Sequence, residues 1–106
     1  MGWIYLFIAS IFEMGWPFGI KMIHNYPDFK IFWIIFAIIT MALSGYFLFL
    51  SQKQISIGTA YAVWTGIGTI GTFLIGITIF HDSASVARFV GVFLILAGVI
   101  VLKLCN

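Results

Sequence analysis

Charged positions punctuate this chain at long intervals. Marking Glu13, Lys21, Asp28, Lys30, Lys53, Asp82, Arg88 and Lys103 leaves four apolar runs, at about residues 3–22, 31–51, 57–80 and 84–104. Each reaches the ~20 residues that a helix needs to cross ~30 Å of hydrocarbon. Backbone groups in lipid have no water to bond, so runs of this length must close their hydrogen bonds internally as helices. A barrel would instead show ~10-residue segments of alternating polarity. The pattern predicts an all-α membrane protein, a single domain of four transmembrane helices over residues 1–106.

The intervening segments suit sharp reversals. HNYPDFK (24–30) carries Asn, Pro and Asp, QKQIS (52–56) is short and polar, and HDSAS (81–85) offers Asp82 or Ser83 as a cap for the last helix. Loops this short impose an up-down-up-down path with both termini on one side. The first residues, MGWIYL, lack a basic region and a cleavage site, so the first run is expected to stay as structure.

Composition sharpens the picture. The chain is 63% hydrophobic and 8% charged, with mean hydropathy +1.19, whereas soluble chains are about 25% charged. Lipid must solvate most of it, in a multi-pass protein expected in the cell membrane. The net charge of +2 forms no basic patch, which argues against nucleic acid as a partner. Cys105 is the sole cysteine, so neither a disulfide within the chain nor a thiolate metal cluster is expected, and no cofactor is implied. With no nucleophile–base pair visible, the chain does not read as an enzyme.

Basic residues normally set orientation. Lys21, Lys30 and Arg88 fall on one side, Lys53 and Lys103 with the terminal amine on the other. This near balance gives no firm instruction about which way to insert. No internal repeat is visible either, although transporters commonly build alternating access from two related halves. A transporter made from this chain therefore needs a second copy, and a copy inserted upside down would supply the inverted half.

Glu13 is the chemical anomaly, because it lies mid-span while the other charges sit at span ends or in loops. A charge there costs about 2.5–3.5 kcal/mol on insertion scales. Desolvation favours the protonated acid and a bound cation favours the carboxylate, so one group can serve proton and cation in turn. Leu6, Ala9, Ser10, Glu13, Trp16, Pro17 and Ile20 share one helical stripe that should face the bundle. Pro17 has no N–H and so frees the Glu13 carbonyl at a kink. Trp16 can pack on a cation and donate its indole N–H to the acid.

On the third span Tyr61 and Trp64 share a face, and Gly66 and Gly68 lie in a glycine-rich stretch suited to bending and close helix contact. GIGTIG (66–71) matches a dinucleotide-binding pattern, but no strand precedes it and it lies within a span. Gly91 and Gly98 form a small-residue seam on the fourth span, expected as a dimer contact. Ser44 on the second span carries a weaker polar signal, and His24 and His81 are expected in solvent.

Taken together, the Glu13 span closed by Lys21, the block IGTAYAVWTGIG (57–68) and Lys103 ending the last span resemble the small multidrug resistance transporters, over essentially the whole chain. The resemblance implies four-helix proton-coupled exporters working as antiparallel dimers. It implies Glu13 as the shared proton and substrate carboxylate, Tyr61 and Trp64 as pocket aromatics, and Ser44 as a polar pocket residue. The context FEMGW, with Trp16 three residues after the acid, is similar to the guanidinium-exporting branch. Ser10, Pro17 and a longer first loop depart from that branch's pattern. The alternatives are a promiscuous exporter of quaternary ammonium cations, or one subunit of a paired heterodimer.

Overall fold

The computed structural model describes residues 1–105, and its order is α1 (Gly2–Asn25), a 3-10 turn (Pro27–Phe29), α2 (Lys30–Ser51), α3 (Ile57–Thr78) and α4 (Val86–Cys105). All four helices are long and apolar enough to cross a membrane. α3 stops at Thr78, before the apolar run ends, because the chain turns at His81 with φ 58°. That left-handed conformation is uncommon for a residue with a side chain.

Helix pairing is set by small residues. Lipid tails are as apolar as the helices, so association depends on close packing and buried hydrogen bonds more than on hydrophobicity. α1 lies between α2 and α3, and α4 packs on α3. A Cβ added to Gly15 would stand 2.7 Å from Thr40 on α2, and one added to Gly19 would stand 3.2 Å from Phe36 and 3.3 Å from Ala37. On the opposite face of α1, Glu13 and Met14 fill the space beside Gly68 and Gly71 of α3. α3 meets α4 where Gly66 admits Val99, whose Cγ2 would be 2.7 Å from an added Cβ. Gly66 and Gly68 therefore act as points of close approach, and α3 runs unbroken through both. α1 likewise continues through Pro17.

The result is a thin slab of 46 × 34 × 16 Å. Its small core joins Leu6, Ile55, Ala60, Val63 and Val99, flanked by Trp3 and Trp64. Two ends can be told apart. At one, Gln54 accepts a hydrogen bond from the Gly2 amide, and Lys103 Nζ lies 5.5 Å from the Trp3 ring. At the other, Lys21 Nζ lies 5.9 Å from the Phe80 ring. The expected cap on α4 is corrected by the structure. Ser85 Oγ accepts from the Arg88 amide at 3.3 Å, while the Asp82 amide donates back to the Gly76 carbonyl at 2.9 Å.

α4 is the least covered helix, with Val99 alone of its residues buried among those described. Phe93, Leu94 and Leu104 are exposed, and a Cβ added at Gly91 or Gly98 would meet nothing within 4 Å.

Candidate functional site

The α1 stripe splits into a packed half and an open half. Leu6, Ala9 and Ser10 are fully buried, Glu13, Trp16 and Pro17 are half-buried, and Ile20 is exposed rather than turned to the bundle. The carboxylate thus stands where close packing gives way to open space. The Trp16 indole Nε1 donates to Glu13 Oε1 at 2.6 Å, a bond that their three-residue spacing allows within one helix. Such a bond to an ionised acceptor is roughly twice as strong as a neutral one. It fixes the rotation of the carboxyl group and leaves its second oxygen unengaged by the indole.

Glu13 separates two cavities. One, of about 320 Å³, is lined by Glu13, Trp16, Pro17, Thr65, Gly68, Thr69 and Thr72. The other, of about 250 Å³, is lined by Glu13, Trp16, Met41, Gly45 and Trp64. Gly68 is what lets α3 approach the acid, since an added Cβ would stand 2.9 Å from Glu13 Cγ. The three threonines follow one face of α3 and line this cavity together with Glu13. Thr69 Oγ1 donates to the Thr65 carbonyl at 2.7 Å, and its oxygen keeps acceptor capacity for an incoming N–H.

A second polar chain holds the aromatic wall. Trp64 Nε1 donates to Ser44 Oγ at 2.8 Å, and Ser44 Oγ donates to the Ala9 carbonyl at 3.0 Å, so three helices are tied through one buried hydroxyl. Ser44 lines neither Glu13 cavity; it positions Trp64, which lines the second. Tyr61 is 57% exposed and lies against Trp64 with ring centroids 5.4 Å apart, outside both cavities. Ser10 is absent from both walls as well, because its hydroxyl donates to the Leu6 carbonyl at 2.8 Å inside the packed half of α1.

Glu13, Trp16, Pro17, Gly68 and Trp64 are brought together. Gly91 and Gly98 lie away from the site on the open face of α4. Sequence reasoning missed Thr65, Thr69 and Thr72, together with Met41 and Gly45. The threonine spacing of four and then three, in phase with Gly68, was the available signal.

The fold and site define a helical protein of the multi-pass membrane type, with a mid-span acid lining two cavities. Comparison with known proteins narrows this. A family profile described as Small Multidrug Resistance protein matches residues 1–95, and the chain belongs to that family. It is 43% identical over 106 residues to a protein named Guanidinium exporter from Yersinia pseudotuberculosis, covering the whole of both chains. It is 39% identical over 108 residues, again with full coverage of both, to a protein of that name from Proteus vulgaris. With the one from Salmonella typhimurium identity is 42%, over 98% of this chain and 97% of the relative.

Proposed function

We propose that this protein exports guanidinium or small substituted guanidines from the cell in exchange for protons, with Glu13 as the group both ligands share. The observation that carries the reading is the bond from Trp16 Nε1 to Glu13 Oε1. It holds the carboxylate in one orientation, and a planar guanidinium binds a carboxylate best when its parallel N–H donors meet a fixed plane. The Thr65, Thr69 and Thr72 hydroxyls supply acceptors for the remaining N–H groups. A bulky hydrophobic cation draws less from oriented acceptors, and the indole occupies room it would need. The names of the relatives from Yersinia pseudotuberculosis and Proteus vulgaris support the same substrate.

Exchange follows from competition. A cation stabilises the carboxylate and a proton abolishes it, so each ligand lowers the other's affinity at one site. Transport further requires that the loaded and exchanged forms differ in stability between the outward-open and inward-open states. One slab, open beside Glu13 and bare along α4, is half of such a device. A second copy in the opposite orientation completes it, with Gly91 and Gly98 in the contact. The near-even distribution of basic residues supports such dual insertion.

The deciding experiment uses purified protein in liposomes. Wild type should give a guanidinium-evoked current that depends on the proton gradient, and Glu13→Gln should fold, assemble and give none. Proton-coupled currents from the Gln variant would overturn the shared-carboxylate mechanism. Transport of a compact polyaromatic cation without guanidinium current would overturn the substrate.

A further inference from the structure

Beyond the Glu13 cavities, a third cavity of about 190 Å³ lies between α1 and α3, lined by residues that include Met14, Pro17, Lys21, Thr72, Phe80 and Asp82. Pro17 and Thr72 also line the 320 Å³ cavity at Glu13. The two hollows are therefore neighbours, one reaching Glu13 and the other reaching Lys21 and Asp82 at the α3–α4 loop. Along α1, Glu13 to Lys21 covers eight residues, about 12 Å at the helical rise of ~1.5 Å per residue.

The mouth of the outer hollow carries one charge of each sign. Lys21 is held toward the Phe80 ring, with Nζ 5.9 Å from the centroid. The His81 turn folds Asp82 back over the end of α3, where its amide bonds to the Gly76 carbonyl and its carboxylate lies against the space a Gly76 side chain would fill. Arg88, the neighbouring cation, is turned away to Ser83, with Nη1 2.9 Å from the Ser83 carbonyl and 2.7 Å from its hydroxyl. An aspartate thus lines the outer hollow and a glutamate the inner one, with Thr72 in the lining of both.

We propose that these neighbouring hollows join past Thr72 as the aqueous entry path to Glu13, that Asp82 is the first contact for a hydrated organic cation, and that the opposing Lys21 charge keeps that contact weak enough for the cation to move inward. The inference builds on Glu13 as the cation site but reads access rather than transport. A unit charge ~3–6 Å away, in the dielectric of the water that fills the mouth, changes local cation concentration about three- to tenfold. The effect must shrink in high salt, where the screening length falls to ~3 Å at 1 M.

The test places a reporter at the junction. In a Cys105→Ser background, Thr72→Cys in liposomes is labelled with a small cationic methanethiosulfonate and with a neutral one, each rate normalised to a free thiol. The cationic reagent should react faster, Asp82→Asn should lower that preference about three- to tenfold, and Asp82→Glu should restore it. Lys21→Gln should move it the other way, and high salt should compress both effects. A thiol at position 72 that fails to react, or a preference indifferent to Asp82→Asn and Lys21→Gln, would overturn the entry path. Since labelling does not require export, absent guanidinium currents with this pattern intact would count against the exporter reading alone.

Discussion

Replacing Gly68 by Ala adds one methyl group at the point where α3 approaches Glu13. The new Cβ would stand 2.9 Å from Glu13 Cγ and 3.4 Å from its Cβ, the first closer than side-chain atoms tolerate. The group that must yield is the glutamate side chain rather than a backbone, so the helices should stay paired while the carboxyl swings. That swing breaks the 2.6 Å bond from Trp16. Overpacking of this kind costs about 1–3 kcal/mol, which converts to about 5- to 150-fold in affinity or rate. Guanidinium-evoked currents from purified protein in liposomes, with size-exclusion profiles to verify assembly, measure it. Gly58→Ala, on the same helix with nothing within 4 Å of the added Cβ, is the matched control and should remain close to wild type. Undiminished transport by Gly68→Ala would show that the site does not depend on the carboxyl orientation, and would remove the structural ground for guanidinium as the substrate.

Trp16→Phe keeps an aromatic ring but loses the N–H donor to Glu13, and removal of a hydrogen bond to a charged group, worth about 1.5–3 kcal/mol, should weaken guanidinium affinity by ~10- to 100-fold in binding titrations. Ser44→Ala removes the hydroxyl between Trp64 and the Ala9 carbonyl; interhelical bonds of this kind contribute about 0.6–2 kcal/mol, so thermal unfolding in detergent should shift down and Ser44→Thr should restore part of the loss. Two lysines added to the 52–56 loop should bias insertion and lower activity, and co-expression of an oppositely biased copy should restore it. Accessibility labelling that finds one orientation in the unmodified protein would count against the antiparallel pair.

The helices were legible because their cause is one-dimensional. A charge or a loop residue interrupts an apolar run wherever it falls, and the runs at 3–22 and 31–51 differ from α1 and α2 by only a few terminal residues. Partner choice was not legible in the same way. Gly15 and Gly19, four apart, seat α1 on α2 but read as unremarkable residues within GWPFG, whereas a Cβ added at Gly91 or Gly98, which look like a seam, would meet nothing within 4 Å. Glycine in an apolar helix records that something approaches closely without recording what. Gly66 and Gly68, expected to permit bending and close helix contact, leave room that Val99 and Glu13 take up.

The site divides along the same line. Glu13 stood out because a mid-span acid has no inexpensive explanation, and Trp16 followed from a helical spacing within one element. Thr65, Thr69 and Thr72 did not, since threonine in a membrane helix can bond its own backbone, as Thr69 does to Thr65 and Thr78 does to Leu74. Only the position of α1 distinguishes Thr69, which lines a cavity together with Glu13, from Thr78, which lies beyond it. Ser44 makes the converse point. Its hydroxyl suits a substrate pocket, yet it is fully buried and engaged with Trp64 and the Ala9 carbonyl, so it shapes the cavity from behind the wall. A substitution there should therefore act through the indole and spare Glu13, whereas a substitution at Gly68 acts on the carboxylate itself. Two variants that weaken transport alike should consequently separate when the aromatic wall and the acid are probed independently.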